Sequence, residues 1–256
     1  MAQKKKPKSN IAKGNVRTRD NIQDTRNKIG EDIDFASSEA YKQLRTSVMF
    51  TLEHNNKCKI FGVTSSVAGE GKSVTSINLA MSFAQMGTKV LLIECDLRKP
   101  VFADYFDLNV RHGLVHAIIG LSKPEDVIYR HENYSRLEIV PAGVIPPNPS
   151  ELLASSHMKK LIDIYAEDYQ IIMLDLPPVT VVTDALVVSK FTQGMLLVVR
   201  DNYVEKTELA ESIRQLNIAG AKILGFTYNF NNSLRGDYYY KKGYKKYGDY
   251  KKSYYK

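Results

Sequence analysis

Short apolar runs alternate with helical patterns along the middle of the chain. The strand-like runs are residues 59–65, 89–95, 137–141, 170–174, 194–199 and 223–228, and the helical patterns are residues 73–86, 113–119, 158–166, 183–190 and 206–219. Several runs are continuously apolar, which is typical of strands that are covered on both faces. The alternation predicts an α/β fold in which helices flank a mostly parallel central sheet.

The two ends of the chain differ from this middle part in composition and charge. Residues 1–20 carry seven Lys/Arg and one acidic residue, and residues 235–256 carry eight Lys/Arg and two acidic residues. The net charge of +8 therefore comes from the ends, and it does not mark a nucleic-acid groove across a folded surface. We expect a disordered basic tail over residues 1–30, one folded domain over residues 31–234 and a flexible tail over residues 235–256.

Composition excludes several classes of protein. The chain has 256 residues, of which 43% are hydrophobic and 25% charged, as in ordinary globular proteins. No apolar run reaches the roughly 18–20 residues of a membrane-spanning helix, and the lysine-rich beginning lacks the apolar core of a signal peptide. Cys58 and Cys95 form no Cys-x-x-Cys pair, which argues against a zinc site or a disulfide framework. We expect a cytoplasmic protein.

The C-terminal tail holds eight of the sixteen tyrosines, separated by Lys, Gly, Asp and Ser. They are Tyr238, Tyr239, Tyr240, Tyr244, Tyr247, Tyr250, Tyr254 and Tyr255. No packed core uses tyrosine in this way, so we interpret these phenols as accessible phosphate acceptors. Each phosphate would add about −1.5 to −2 charge, so phosphorylation of half of these tyrosines would abolish the basic charge of the tail. The competing interpretation is an aromatic, cationic tail that binds nucleic acid or anionic lipid.

The first strand-like run leads into a glycine-rich loop that ends in Gly71, Lys72 and Ser73. Glycines allow backbone N–H groups to turn towards phosphates, the lysine can reach the β and γ phosphates, and the serine can ligate magnesium. A helix that begins there adds the positive end of its dipole. The strict motif would place glycine at position 66, where this chain has Ser66. The alternative is a glycine-rich turn capped by Ser73.

Acidic residues follow two more of the predicted strands. Glu94 and Asp96 come at the end of residues 89–95, and Asp175 follows residues 170–174. The carboxyl ends of parallel strands are where ligands bind in open sheets, and a carboxylate there needs a cation such as magnesium. Any one of these carboxylates could instead cap the next helix. Arg98 could pair with a carboxylate or a phosphate, or lie exposed at a helix start.

These segments together resemble the bacterial tyrosine kinases, the BY-kinases. Three segments are similar to the Walker A, Walker A′ and Walker B motifs of that family: Gly69-Glu70-Gly71-Lys72-Ser73, Glu94-Cys95-Asp96-Leu97-Arg98 and Asp175-Leu176-Pro177-Pro178. The tyrosine cluster completes the resemblance, which covers roughly residues 37–256. It implies a P-loop fold like that of MinD, with ATP and Mg²⁺ as cofactors.

The resemblance also implies roles for single residues. Lys72 would hold the terminal phosphates, and Ser73, Asp96 and Asp175 would ligate magnesium directly or through water. Glu94 stands where the family has an aspartate that accepts the proton of the tyrosine. The implied ATP-binding residues are Ser66, Ala68, Gly69, Glu70, Gly71, Lys72, Ser73, Val74, Arg98 and Asn229. Asn229 would contact the adenine base, although Asn231 or Asn232 could take that role, or Asn229 could be a plain turn residue.

A third implication is assembly into a ring. Glu39, Lys42 and Arg45 share part of one helical face, and they are similar to the family's Glu-x-x-Arg-x-x-Arg segment, which packs against the next subunit. Lys42 replaces the first arginine, which keeps the charge but loses the bidentate geometry. The alternative is a solvated, charged helix face.

Partners and pathway follow from the resemblance alone. It implies autophosphorylation in trans between subunits, and activation by the cytoplasmic segment of a transmembrane adaptor of the polysaccharide co-polymerase type. It further implies recruitment to the inner face of the membrane, a cognate tyrosine phosphatase, and a role in capsule or exopolysaccharide synthesis and export. We expect no nucleic-acid partner.

Two other functions share the same nucleotide loop. A MinD- or ParA-like ATPase switch would use the basic tails on membrane or DNA, but clustered tyrosines have no purpose there. A scaffold that binds ATP but has lost catalysis through Ser66 and Glu94 would stay unphosphorylated.

Overall fold

The computed structural model describes residues 29–30, 33–52 and 56–230. Residues 1–28 and 235–256 of the predicted tails, including all eight clustered tyrosines, lie outside these residues, as do Asn231 and Asn232. The last two residues of the predicted N-terminal tail are described: Ile29 is buried, and the Gly30 N–H donates to Asn78 Oδ1 at 3.0 Å. The expected domain bounds at residues 31 and 234 therefore remain predictions.

The described residues form an α/β sandwich. In chain order the elements are α1 (Phe35–Thr51), β1 (Lys59–Ser65), α2 (Lys72–Gln85), β2 (Val90–Glu94), α3 (Phe102–Tyr105), α4 (Leu114–Ile118), a 3₁₀ turn (Pro124–Val127), β3 (Tyr129–Arg130), β4 (Leu137–Val140), α5 (Pro149–Ala154), α6 (Ser156–Asp168), β5 (Ile171–Asp175), α7 (Asp184–Ser189), β6 (Met195–Arg200), α8 (Lys206–Ile218) and β7 (Ile223–Asn229). The predicted mostly parallel sheet is confirmed.

The seven strands lie in the order β3-β4-β2-β5-β1-β6-β7. All neighbouring pairs are parallel except β3 and β4. The three central strands are therefore β2, β5 and β1, although they are distant in sequence. Their carboxyl ends carry the phosphate loop and the acidic residues, so the sheet order brings the predicted site together.

Both faces of the sheet are covered by apolar side chains. Along β5, Ile171 and Met173 pack into a cluster with α1 and α2, whereas Ile172 and Leu174 pack into a second cluster with α4, α6 and α7. This alternation explains why the central strands read as continuously apolar runs. It also fixes the register that sets Asp175 at the end of β5.

The structure differs from the sequence-based prediction mainly in short elements. The two-residue strand β3 and the short helices α3 and α5 were not predicted, because four or six residues carry too little periodicity. The predicted strands agree with the observed ones to within one or two residues. No helix in the described part of the chain has the length and apolar character that a membrane span requires.

Candidate functional site

The glycine-rich loop joins β1 to α2 at the carboxyl edge of the sheet. Gly71 precedes the first helical residue, Lys72, and has a φ of 85°, a left-handed conformation that favours glycine. Glu70 is fully buried, and its carboxylate accepts hydrogen bonds from the backbone N–H groups of Val67, at 2.8 Å, and Arg200, at 3.1 Å. The Glu70 carboxylate therefore links the start of the loop to its end and joins the loop to β6.

Lys72 reaches across the sheet edge to both predicted metal ligands. Its Nζ lies 3.0 Å from Asp96 Oδ2 and 3.3 Å from Asp175 Oδ2, and it donates to Ser73 Oγ at 3.1 Å. Burial alone would lower the pKa of Lys72, but the charges of Asp175 and Asp96 outweigh it and raise the pKa. Lys72 is thus a charged ammonium held by two carboxylates.

The oxygen atoms around this ammonium suit a divalent cation. Ser73 Oγ donates to Asp175 Oδ2 at 2.7 Å, and Ser76 Oγ donates to Asp175 Oδ1 at 3.0 Å. Asp175 is fully buried and Asp96 is 6% exposed. Carboxylate and hydroxyl oxygens are hard ligands of the kind that Mg²⁺ prefers, so the donor set fits magnesium.

An open cavity with about 830 Å³ of empty space lies beside this cluster. Its polar end includes Lys72, Ser73 and Asp96, and its apolar side includes Pro177 and Val181. Of the other predicted ATP-binding residues, Ala68, Gly69, Gly71, Val74 and Arg98 also line it. The structure therefore brings most of the predicted nucleotide site to one cavity.

Ser66 is buried at the start of the loop. Its carbonyl oxygen accepts hydrogen bonds from Thr180 Oγ1 at 2.7 Å and from the Thr180 N–H at 3.2 Å. Its hydroxyl group has no hydrogen-bond partner among the described residues. Serine thus stands where the motif has glycine, and the backbone at this position is held by two hydrogen bonds from Thr180, in the segment that follows β5.

The structure places the Glu94 carboxylate away from the cavity lining. Glu94 is 1% exposed, and its Oε1 accepts hydrogen bonds from the N–H groups of Val101 and Phe102, while Oε2 accepts one from Ala142 at 3.0 Å. Burial raises the pKa of Glu94 to about 7 despite these three donors. This geometry joins two loops, and it does not present Glu94 to an acceptor hydroxyl.

Arg98 is paired with a carboxylate. Its Nε lies 2.9 Å from Asp184 Oδ2, and its Nη2 donates to Asp184 Oδ1 at 3.1 Å and to Ser150 Oγ at 3.0 Å. Asp184 is fully buried and begins α7. Of the two pairings considered for Arg98, the structure has the carboxylate, although its side chain still lines the cavity.

Asn229 contacts the phosphate loop itself. Its Nδ2 donates to the carbonyl oxygen of Glu70 at 2.9 Å, and its Oδ1 accepts from the Phe230 N–H at 3.0 Å. A Cβ atom at Gly71 would force the Asn229 side chain to shift, and the positive φ at this position adds strain for any residue other than glycine. The predicted contact of Asn229 with an adenine base stays a prediction.

Glu39, Lys42 and Arg45 all lie on α1, as their spacing predicted. Lys42 Nζ pairs with Glu39 Oε1 at 2.7 Å, and both side chains are about half exposed. Arg45 instead packs on α2, where its Nη1 donates to the carbonyl and hydroxyl oxygens of Ser82. The three residues therefore have different surroundings within one subunit.

Several residues at the site were missed by sequence reasoning. Ser76 follows Ser73 by three residues on α2, and that spacing was a usable signal. Arg200 and Tyr203, which contact the phosphate loop from β6 and the turn after it, carried no local motif. Asp184 was not singled out from the sequence either.

Comparisons with known proteins agree with this geometry. Residues 58–216 match the AAA domain family. The chain is 37% identical to the tyrosine-protein kinase YwqD of Bacillus subtilis over 193 residues, which are 75% of this chain and 81% of that protein.

Solved structures give the same result. The kinase domain of the Escherichia coli tyrosine kinase ETK superposes with a TM-score of 0.71 at 32% identity, covering 75% of this chain and 74% of that one. MinD of Pyrococcus horikoshii, solved with Mg-ADP, superposes with a TM-score of 0.56 at 24% identity, covering 66% of this chain and 69% of that one. The similarity to MinD shows a shared fold and nothing further.

Proposed function

The chain belongs to the bacterial tyrosine kinases, and from that premise we propose that it transfers the terminal phosphate of ATP to the tyrosines of its own C-terminal tail. It is a protein-tyrosine kinase. The observation that carries the proposal is the meeting of Lys72, Ser73, Asp96 and Asp175 beside one open cavity.

Phosphoryl transfer depends mainly on alignment and on neutralising negative charge. In our proposal Lys72 leaves its two carboxylates to hold the β and γ phosphates, and the loop N–H groups bind the remaining phosphate oxygens. Ser73, Asp96 and Asp175 are the residues that would hold Mg²⁺, which supplies positive charge to the phosphates when bound.

The phenol of an accepting tyrosine has a pKa near 10, so a carboxylate that takes its proton would help transfer. Glu94 occupies the family position for this role, but both of its oxygens are held by backbone N–H groups. We therefore favour a positioning role, in which Glu94 ties the loop that contains Val101 to the end of β4.

The acceptors in this proposal are the eight tyrosines of residues 235–256. Their support is compositional, since clustered phenols between Lys, Gly and Asp form no core. Family resemblance supports transfer between subunits of a ring that uses Glu39, Lys42 and Arg45. It also supports a membrane adaptor, a cognate phosphatase, a cytoplasmic site at the membrane, and control of capsule or exopolysaccharide export.

Intact-mass spectrometry of the full chain tests the proposal. Incubation with ATP and Mg²⁺ is expected to add phosphate in discrete steps, and Lys72→Met is expected to remain at its original mass. A second variant replaces all eight tail tyrosines by phenylalanine, and it is expected to gain no phosphate while still binding ATP. Phosphate that persists on this second variant would contradict the tail as the acceptor.

Mixing the two variants tests transfer between subunits. The Lys72→Met chain keeps its tyrosines but lacks the phosphate-binding lysine, whereas the phenylalanine variant keeps the site but lacks acceptors. Transfer in trans predicts phosphate on the Lys72→Met chain in the mixture. If that chain stays unmodified while the wild-type protein gains phosphate, transfer occurs within one chain.

A further inference from the structure

Three consecutive carbonyl oxygens of the phosphate loop each accept a hydrogen bond from a side chain outside the loop. Tyr203 Oη donates to the carbonyl of Ala68 at 3.1 Å, Arg200 Nη1 donates to that of Gly69 at 3.1 Å, and Asn229 Nδ2 donates to that of Glu70 at 2.9 Å. The donors come from the ends of β6 and β7 and from the turn after β6. We call Arg200, Tyr203 and Asn229 the rear clamp.

The rear clamp is itself held in place. The guanidinium of Arg200 lies 4.4 Å from the ring centroid of Tyr203 and 4.4 Å from that of Phe230, so it is sandwiched between two aromatic rings. The Phe230 N–H donates to Asn229 Oδ1, which turns the Nδ2 group of Asn229 towards the loop. The donors are thus oriented by contacts that do not involve the loop.

Two glycines allow the clamp to approach. A Cβ atom at Gly69 would lie 2.9 Å from Tyr203 Oη, and one at Gly71 would collide with Asn229. Both glycines have positive φ values, 91° and 85°. The two glycines therefore serve the contacts behind the loop as well as its backbone conformation.

Peptide geometry connects the clamp to phosphate binding. In a planar trans peptide the C=O of one residue and the N–H of the next point in opposite directions. When the carbonyls of Ala68, Gly69 and Glu70 point to the clamp, the N–H groups of Gly69, Glu70 and Gly71 point away from it. Gly69 and Gly71 line the cavity beside Lys72, so that side of the loop is where phosphates are proposed to bind.

We propose that Arg200, Tyr203 and Asn229 are positioning residues that hold the loop N–H groups ready for the triphosphate of the nucleotide. This inference rests on the proposed nucleotide site. It gives Asn229 a role through the loop backbone instead of through the base. The clamp therefore acts on the phosphates of any nucleotide equally.

The test compares two ligands that share a triphosphate but differ in the adenosine group, which only ATP has. The dissociation constants of Mg·ATP and of Mg·tripolyphosphate are measured by calorimetry for the wild type, Tyr203→Phe, Asn229→Ala and the double variant. Each lost hydrogen bond is expected to weaken binding by about 3- to 10-fold, by the same factor for both ligands. Tyr203→Phe removes only the hydroxyl and keeps the ring on Arg200, so its melting temperature should match that of the wild type.

Tyr228→Phe is the matched control. Tyr228 neighbours Asn229 on β7 but is 65% exposed, and its hydroxyl is not part of the clamp, so both dissociation constants should stay within twofold of the wild-type values.

Hydrogen exchange in the ligand-free protein provides a second measurement. The amides of residues 69–71 are expected to exchange faster in the clamp variants than in the control.

Two results would overturn the inference. One is unchanged binding of both ligands together with unchanged exchange at residues 69–71 in the double variant. The other is weaker binding of Mg·ATP with unchanged binding of Mg·tripolyphosphate, which would mean that Asn229 contacts the adenosine group. The proposed nucleotide site fails differently, since the wild type would then bind neither ligand more tightly than Lys72→Met does.

Discussion

The Nζ atom of Lys72 lies 3.0 Å from Oδ2 of Asp96, so the phosphate-loop lysine neutralises a predicted metal ligand. Asp175 is held in the same way at 3.3 Å. Removing one partner of a buried ion pair leaves the other charge uncompensated. We expect Lys72→Met to bind Mg²⁺ without nucleotide about tenfold more tightly than the wild type does. Calorimetric titration with MgCl₂ measures this difference.

Lys99→Met is the control for loss of charge. Lys99 also lines the cavity, but it is not the lysine that pairs with Asp96 and Asp175. Its Mg²⁺ dissociation constant should stay within about twofold of the wild-type value, as expected for a solvated charge. Equal Mg²⁺ affinities in wild type and Lys72→Met would show that the two carboxylates do not hold the metal.

Two substitutions of Glu94 separate positioning from proton transfer. Glu94→Asp keeps the charge but shortens the side chain by one methylene, so it cannot span the N–H groups of both Phe102 and Ala142. A positioning role predicts a loss of about 1–3 kcal/mol in the free energy of unfolding near pH 5 for Glu94→Asp and for Glu94→Gln, and a raised KM for ATP in both variants. Thermal unfolding and steady-state kinetics supply both quantities.

The opposite pattern would identify Glu94 as the base. In that case Glu94→Gln would lose transfer to tyrosine while its ATP affinity and melting temperature stayed at wild-type values. Glu94→Asp would then retain activity, because it keeps a proton acceptor.

The raised pKa of Glu94 also predicts how stability changes with pH. The folded pKa is about 7 and the ordinary value is 4.5, so between these values the folded chain binds more protons than the unfolded chain. The contribution of the neutral carboxyl is complete below pH 4.5 and is lost as the pH rises through 7. Relative to Glu94→Gln, which does not titrate there, the wild type should lose up to about 3 kcal/mol between pH 5 and 8.

Urea unfolding of both proteins across this pH range measures the difference directly. A constant difference between wild type and Glu94→Gln would mean that the carboxylate is stabilised by its backbone donors as well as it is by water.

Arg45 and Lys42 are expected to respond differently to truncation. Arg45→Ala removes a charged donor from the Ser82 carbonyl and should lower the free energy of unfolding by about 1.5–3 kcal/mol. Lys42→Ala breaks only a half-exposed pair and should change it by less than about 1 kcal/mol. If Lys42 lies at a ring interface, Lys42→Ala should still reduce the oligomer mass measured by light scattering.

The residues at the centre of the site could be predicted because each is marked by its immediate neighbours in the sequence. A buried strand must be apolar, so Glu94, Asp96 and Asp175 stood out at the points where apolar runs end. Lys72 and Ser73 were identified in the same way, from glycines next to a strand. Each inference needed only a few neighbouring residues and the rule that parallel strands end at one edge.

The remaining features depend on contacts between distant segments. Nothing near Tyr203 in the sequence indicates that its hydroxyl meets Ala68, because that contact depends on β6 lying beside β1. The family resemblance implied a proton-accepting role for Glu94, but the loops around Phe102 and Ala142 enclose its carboxylate. Tertiary packing decided the environment of both side chains.

The placement of β5 between β1 and β2 has a consequence for synthesis on the ribosome. The two strands that precede Lys72 and Asp96, β1 and β2, are joined only through β5, so they lack a common neighbour until residues 171–175 are inserted between them. The loop also lacks its supporting donors until Arg200 and Asn229 have been made. Long-range pairing of this kind is slow and cooperative. We therefore expect a nascent chain to form the proposed nucleotide pocket only when nearly all of the described domain has emerged.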